Sequence, residues 1–213
     1  MILGTTPAAD REWSEPLQLQ GFGLTLTPLR VEDASDFLAA LGSPEERAEV
    51  VAHLSFAPPV DLAGATEIIE LAVHDHHRIA YAQRLDATGE LVGSTSYYDI
   101  DPSLRTLAIG HTWVARRHWR TFVNTASKMI MLERAFDVLG AERVVWHTDI
   151  RNLRSQAAIA RLGGVREGVL RHHRIRRDGS WRDTVQFSML SAEWPDARRR
   201  LEARLASGAD RRD

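Results

Sequence analysis

The ten residues WRTFVNTASK at positions 119–128 join a strand-like run, residues 108–114, to a long amphipathic helix. At such a junction the first N–H groups of the helix lack intrahelical partners, and the helix dipole adds positive potential. Main-chain donors placed this way hold phosphate or pyrophosphate, so the chemistry implied is recognition of a nucleotide-like cofactor. Arg116, Arg117 and Arg120 lie on or beside the loop, where guanidinium groups either pair with phosphate oxygens or form a solvated basic edge.

A second group is Asn152 with Ser155, three residues apart on the first turn of a helix and so on one side of it. As polar first-turn residues they also read as a capping pair. His111 lies in the strand before the loop and titrates near neutrality; alternation puts it on the face opposite Ala108 if the strand is regular. Asp99 and Asp149 are further titratable candidates, with Asp149 suited to fixing the turn before Asn152. The run His74-Asp75-His76-His77 reads as a cation cluster at a helix C-terminus, and no metal is expected from its spacing. Gly21 and Gly23 make no dinucleotide fingerprint, because a third glycine is missing and no helix follows.

A chain of 213 residues with 44% hydrophobic content can bury one sizeable core, so a single domain is expected. Net charge of -2 gives no global attraction to nucleic acid or acidic membranes, so anion binding must be local. Cysteine is absent, which excludes disulfides, thiolate zinc sites and cysteine nucleophiles. The N-terminus lacks a signal-peptide pattern, and no apolar run reaches the roughly 18 residues of a membrane helix, so a soluble cytoplasmic protein is the expectation. Lys128 is the only lysine in an arginine-rich chain, read here as a compositional habit.

These groups must be positioned by alternating strands and helices. Residues 1–16 read as a flexible arm, with Trp13 docking on the body, residues 17–206 as the domain and 207–213 as a flexible tail. Strands are predicted at 22–29, 79–86, 91–100, 106–114, 143–148, 165–175 and 181–190, with Thr88-Gly89 and Asp178-Gly179 as hairpin signals. Helices are predicted at 32–41, 44–54, 61–77 and 152–162, and a surface helix at 192–206. Thr125, Met129, Leu132, Phe136 and Leu139 form the apolar stripe of the helix after the loop, which Gly140 ends. The sum is an α/β domain with a mixed sheet, parallel only where the long helix crosses between central strands.

The series IGHTWV, RTFVNTASKMIMLERAFDVLGAERV, TDIRNLRSQAAIARLGG and REGVLR followed by DGSWRDT resembles the GNAT superfamily of acetyl-CoA-dependent N-acetyltransferases, in its Rim-type branch related to ribosomal-protein alanine acetyltransferases. The likeness runs from about residue 22 to 195. It implies a largely antiparallel sheet of about seven strands whose central pair, 106–114 and 143–148, splays apart to admit the pantetheine arm of coenzyme A. The implied cofactor contacts are Trp113 and Val114 at the strand end, then Arg117, Arg120, Thr121, Phe122, Val123, Asn124 and Thr125 in the loop, with Asn152 at the pantetheine amides. The family's loop pattern falls on Trp119, Phe122 and Asn124, all three departing from it; backbone binding tolerates this if Phe122 avoids positive φ. Ser155 matches the proposed proton donor to the leaving thiolate.

Relatives often place Glu where this chain has Ala108, which excludes a carboxylate base there; His111 is a candidate base, with Asp99 and Asp149 as the others. The expected acceptor is a primary amine, either a protein N-terminal α-amine or a small molecule, by direct transfer without a covalent enzyme intermediate. A homodimer is possible by the same resemblance. The rival reading is a coenzyme-A-binding sensor or RNA-associated adaptor without turnover. The basic hairpin Arg166, Arg171, His172, His173, Arg174, Arg176 and Arg177 lacks interleaved aromatic platforms, which argues against a nucleic-acid partner.

Overall fold

The computed structural model describes residues 12–208. Its strands are β1 (Leu19–Gly21), β2 (Leu24–Pro28), β3 (Arg78–Leu85), β4 (Leu91–Asp101), β5 (Thr106–Val114), β6 (Arg143–Asp149), β7 (Val165–Ile175) and β8 (Trp181–Leu190). They form one sheet in the order β1-β2-β3-β4-β5-β6-β8-β7. Every pairing is antiparallel except β5 with β6. The sheet has one strand more than expected: β1 has three residues, too few for alternation to register, yet it pairs with β2 from Leu19 opposite Leu26.

The helices are α1 (Ala34–Leu41), α2 (Pro44–Val50), α3 (Leu62–Val73), α4 (Val123–Glu133), α5 (Leu153–Leu162) and α6 (Trp194–Ala206). Local chemistry sets their starts. Ser43 and Glu46 make a capping box around Pro44, and the Asp61 carboxylate accepts the Gly64 N–H at 2.9 Å. α3 stops at Val73, short of the predicted 77, and the His74 ring hydrogen-bonds the Glu70 carbonyl at 2.8 Å. α5 ends at Gly163, which adopts φ 104.

Two apolar layers flank the sheet. On one face α4, α5 and α6 bury Leu107, Ile109, Met129, Leu132, Trp146, Phe187 and Trp194. On the other, α1 and α3 bury Phe37, Leu41, Ile69, Ala82 and Trp113. This second layer covers β3 to β5. Helix α4 is buried on nearly every side, with residues 125–132 all buried, because it lies between the sheet and α6. α6 lies at the surface as expected and docks through one stripe, Trp194, Ala197 and Leu201.

The predicted arm falls partly outside the described residues, at 1–11, and so does the tail from 209. The part of the arm that is described is docked: Trp13 is buried in the α4 layer, and Arg134 Nη2 donates to the carbonyls of Glu12 and Glu15 at 2.8 and 3.1 Å.

One close approach fixes the spacing of β3, β4 and β5. A Cβ at Gly93 would lie 2.3 Å from the Trp113 carbonyl oxygen and 3.1 Å from Val114 Cα, both main chain. Gly93→Ala is therefore expected to destabilise the domain by about 1–3 kcal/mol through forced backbone displacement, measured by denaturant unfolding. An unchanged midpoint would contradict this packing.

Candidate functional site

β5 and β6 pair over three positions only, Thr106 with Arg143, Leu107 with Val144 and Ala108 with Val145. Beyond them β6 stays with β8 as far as Asp149 opposite Thr184, while β5 leans toward β4. A wedge opens between the two strands. β5 turns away through a bulge: Ile109 faces Tyr97, Gly110 faces Ser96 and Trp113 faces Ser94, so His111 and Thr112 together oppose Thr95. His111 takes φ 50, a left-handed conformation costing a non-glycine residue about 1–2 kcal/mol.

Lys128 pins the bulge from beneath. Its Nζ donates to Thr95 Oγ1 at 2.8 Å and Thr112 Oγ1 at 2.9 Å, and Thr112 Oγ1 donates on to the Gly110 carbonyl at 3.3 Å. The amine is buried with no carboxylate beside it, and desolvation pulls its pKa down to about 7. The only lysine is thus a structural pin at the wedge, not a compositional habit.

The bulge also corrects the predicted facing of His111. Its ring packs edge-on against Tyr98, centroids 5.2 Å apart, and Tyr98 is the cross-strand partner of Ala108. His111 and Ala108 therefore address the same side of the sheet. Gly110 makes room, since a Cβ there would lie 2.7 Å from Tyr98 Cε1. Burial raises the Tyr98 phenol well above its ordinary pKa, so it stays protonated and donates to His147 Nδ1 at 3.0 Å. His147 Nε2–H then donates to Gln186 Oε1 at 3.1 Å, and Gln186 Nε2 to Glu167 Oε2 at 2.8 Å. Arg143 hydrogen-bonds Glu167 at 2.6 Å and pulls its carboxyl down to about 2. Burial, with Arg78 next, depresses His111 to about 4, and burial also lowers His147. Both rings are neutral at pH 7. Asp99, Leu107, Ala108, Val145, His147 and Gln186 line a cleft of about 250 Å³ along this wall. Tyr98, His147 and Gln186 were not singled out from the sequence, because only the register of β4, β6 and β8 brings them together.

At the wide end of the wedge, Arg116–His118 form a 3-10 turn and Trp119 is extended. Arg120 takes the left-handed position at φ 64, whereas Phe122 has φ -63 and ψ -20 and precedes α4. The strain anticipated at Phe122 sits two residues earlier. Thr121 Oγ1 donates to the His118 carbonyl at 2.7 Å and receives Val123 N–H at 3.5 Å. The first helical bond runs from Ala126 N–H to the Phe122 carbonyl, and the Phe122 and Asn124 N–H groups have no partner among the described residues. Val123 and Thr125 are buried beneath them.

Of the three loop arginines only Arg120 has no partner among the described residues. Arg117 is held by Glu90 and the Ala40 carbonyl, and Arg116 pairs with Glu49 at 3.0 Å. The Trp113 side chain is buried edge-on against Phe37 at 4.8 Å, which leaves its main chain for any contact in the wedge. The Val114 carbonyl already accepts Trp119 Nε1 at 2.7 Å. Across the opening, Asn152 Oδ1 accepts Ser155 N–H at 3.0 Å, the expected cap, and Arg154 stacks over Trp119 at 3.7 Å, joining the two rims. Asp149 is bridged by Arg176 at 2.6 and 2.8 Å and accepts Arg151 N–H, so three of its roughly four acceptor positions are taken and it fixes the turn.

The acetyltransferase (GNAT) domain family matches residues 23–165, about two-thirds of the chain. The chain belongs to this family. Both sides of the wedge and the whole α4 loop fall inside the GNAT match; β8 falls outside it. A crystal structure of a GCN5-related N-acetyltransferase from Brucella melitensis is 26% identical, superposes at a TM-score of 0.85 and covers 90% of this chain and 86% of that one. Mycobacterium smegmatis RimJ, solved in complex with CoA-disulfide, shares the fold at a TM-score of 0.70 and 24% identity, over 92% and 97% of the two chains. Bacillus subtilis YdaF, which carries the name of a ribosomal N-acetyltransferase, is 30% identical over 106 residues, half of this chain and 57% of that protein.

In this GNAT domain the buried lysine sets a pH-dependent cost. Its folded pKa of about 7 lies below the unfolded value near 10.4, so the penalty is complete below pH 7 and vanishes as pH rises past 10.4. Thr95 and Thr112 remain 2.9 Å apart and can satisfy each other without it. Lys128→Met is therefore expected to raise Tm at pH 7, by about 2–4 °C for each kcal/mol gained, with the gain shrinking toward pH 10. A lower Tm across that range in calorimetry would contradict this.

Proposed function

We propose that the protein is an acetyl-CoA-dependent N-acetyltransferase that passes an acetyl group directly to a primary amine, a peptide α-amine or a small molecule. The observation that carries this reading is the wedge between β5 and β6 with unpartnered N–H groups at its wide end. Those of Phe122 and Asn124, beside the free Arg120 guanidinium, fit a diphosphate group by charge and donor count. Acetyl-CoA supplies the acetyl group as an activated thioester. Asn152, capping α5 through its Oδ1, keeps its amide N–H groups for the pantetheine arm.

The protein's own groups then divide the remaining work. Main-chain N–H groups at the β5 bulge polarise the thioester carbonyl, and Lys128 holds that bulge in place. The amine nitrogen attacks from the His111 and Tyr98 side as its N–C bond forms and the C–S bond breaks. Ser155 donates a hydrogen bond to the departing sulfur, whose thiol has an ordinary pKa of about 8.5. Neutral His111 receives the proton that the amine sheds. A base this weak does not deprotonate a free ammonium, so the amine must arrive neutral, which an α-amine with pKa of about 7.7–8.0 does readily.

Ser155→Ala is expected to lower kcat for thiol release about ten- to a hundredfold with acetyl-CoA affinity kept within twofold. Lost affinity with unchanged kcat would instead make Ser155 a binding residue. The rising limb of kcat/KM against pH should follow the acceptor's pKa, near 8 for a peptide α-amine. His111 adds no inflection above pH 6.5; because its folded value is depressed, it removes stability only as pH falls from about 6.5 toward 4. A limb that stays in place when acceptors of different pKa are compared would contradict the requirement for a neutral amine.

A further inference from the structure

The β7–β8 hairpin turns at Asp178-Gly179 and sets Arg174 directly opposite Arg182. Like charges at paired positions repel. Neither guanidinium has a hydrogen bond or ion pair among the described residues, and Arg182 Nε is buried without a partner. Asp149, the carboxylate whose charge acts on Arg182, is already bridged by Arg176. Asp183, next in the chain, accepts the His172 N–H at 2.8 Å.

The pair faces the acceptor side of the wedge. Arg182 shares its strand face with Gln186, the partner of His147, since alternate residues of β8 point the same way. The bulge between Leu170 and Arg174, with His172 at φ 50, carries His173 to within 5.7 Å of His147. His173 Nδ1 is also buried without a partner. The fields of both arginines reach Tyr98, His111, His147 and His173. Opposing them in the cleft is one carboxylate, Asp99, which is exposed and unpaired.

We propose that Arg182 and Arg174 form an anion subsite, so that the acceptor is a primary amine carrying a carboxylate or phosphate a short distance from its nitrogen. This rests on the acetyltransferase reading above and names its substrate class. A half-buried guanidinium with unused donors is costly unless a ligand anion completes it, and its planar fork suits a carboxylate or phosphate. The same positive field favours the neutral form of an amine bound nearby, the form that attacks. The anion therefore orients the acceptor while the arginines hold its nitrogen in the reactive state.

The test compares two peptides with a free α-amine, identical except for Glu or Gln at the second position, with free glutamate and O-phosphoserine as small-molecule acceptors. The Glu peptide or one of the small acids is expected to exceed the Gln peptide in kcat/KM by tenfold or more. Preference for the peptide or for the free acid tells the source of the anion, and both support the subsite. Arg182→Gln should bring the acidic acceptor to within about twofold of the neutral one through KM, and Arg182→Lys should restore part of the difference. Equal rates for Glu and Gln acceptors without advantage for either small acid, or a preference that survives Arg182→Gln, would overturn the subsite. If no amine is acetylated although acetyl-CoA binds, the transferase reading fails. Calorimetry of the Glu and Gln peptides on CoA-saturated protein then decides the subsite separately, supported by tighter Glu binding that Arg182→Gln abolishes and overturned by equal binding.

Discussion

Everything at the site depends on the early end of the β5–β6 pairing. A parallel pair that stops after Ala108 and Val145 leaves main-chain donors and acceptors in the middle of a sheet, and these must find other partners. Trp119 Nε1 takes the carbonyl of Val114, the bulge at His111 and Thr112 turns β5 toward β4, and α5 caps itself with Asn152. At the start of α4 the Phe122 and Asn124 amides have no partner among the described residues. The wedge stays open because α4, buried on almost all sides, cannot slide into it.

The electrostatics of the site run against stability in two places. Lys128 is a buried amine held by two threonines without a counter-charge, and Arg174 faces Arg182 across a hairpin without an acid between them. Sequences under selection for stability alone would replace these groups with apolar or oppositely charged ones, whereas sites that must act retain them. Both features lie on the wedge. Burial keeps His111 and His147 neutral, and the fields of Arg174 and Arg182 add to it, which suits an uncharged amine approaching the electrophilic carbonyl carbon of a thioester.

Much of this was legible in the sequence wherever a local pattern carried it. Alternation marked the strands, Asp178-Gly179 marked the hairpin, and Asn152 with Gly163 bracketed α5. Three-residue β1 left no pattern to detect. The bulge at His111 has no local signature, and a regular strand would have put that ring on the wrong face. Tyr98, His147 and Gln186 lie far apart in the chain and meet only through strand register. Lys128 is the single charge in the run ASKMIML, which marks it as buried. A two-residue turn at Asp178-Gly179 would set Arg174 opposite Asp183; the loop takes a third residue, Arg177, and the shifted register sets Arg174 opposite Arg182.

The central claim is that the wedge and the α4 amino terminus together receive coenzyme A. Amide hydrogen exchange with and without saturating coenzyme A reads it residue by residue. Slowed exchange is expected at the Phe122 and Asn124 amides and along the bulge at residues 110–114, with little change in β1, β2 and α6. Binding that leaves the Phe122 and Asn124 amides exchanging at their free rate, or that protects another part of the sheet, would contradict it.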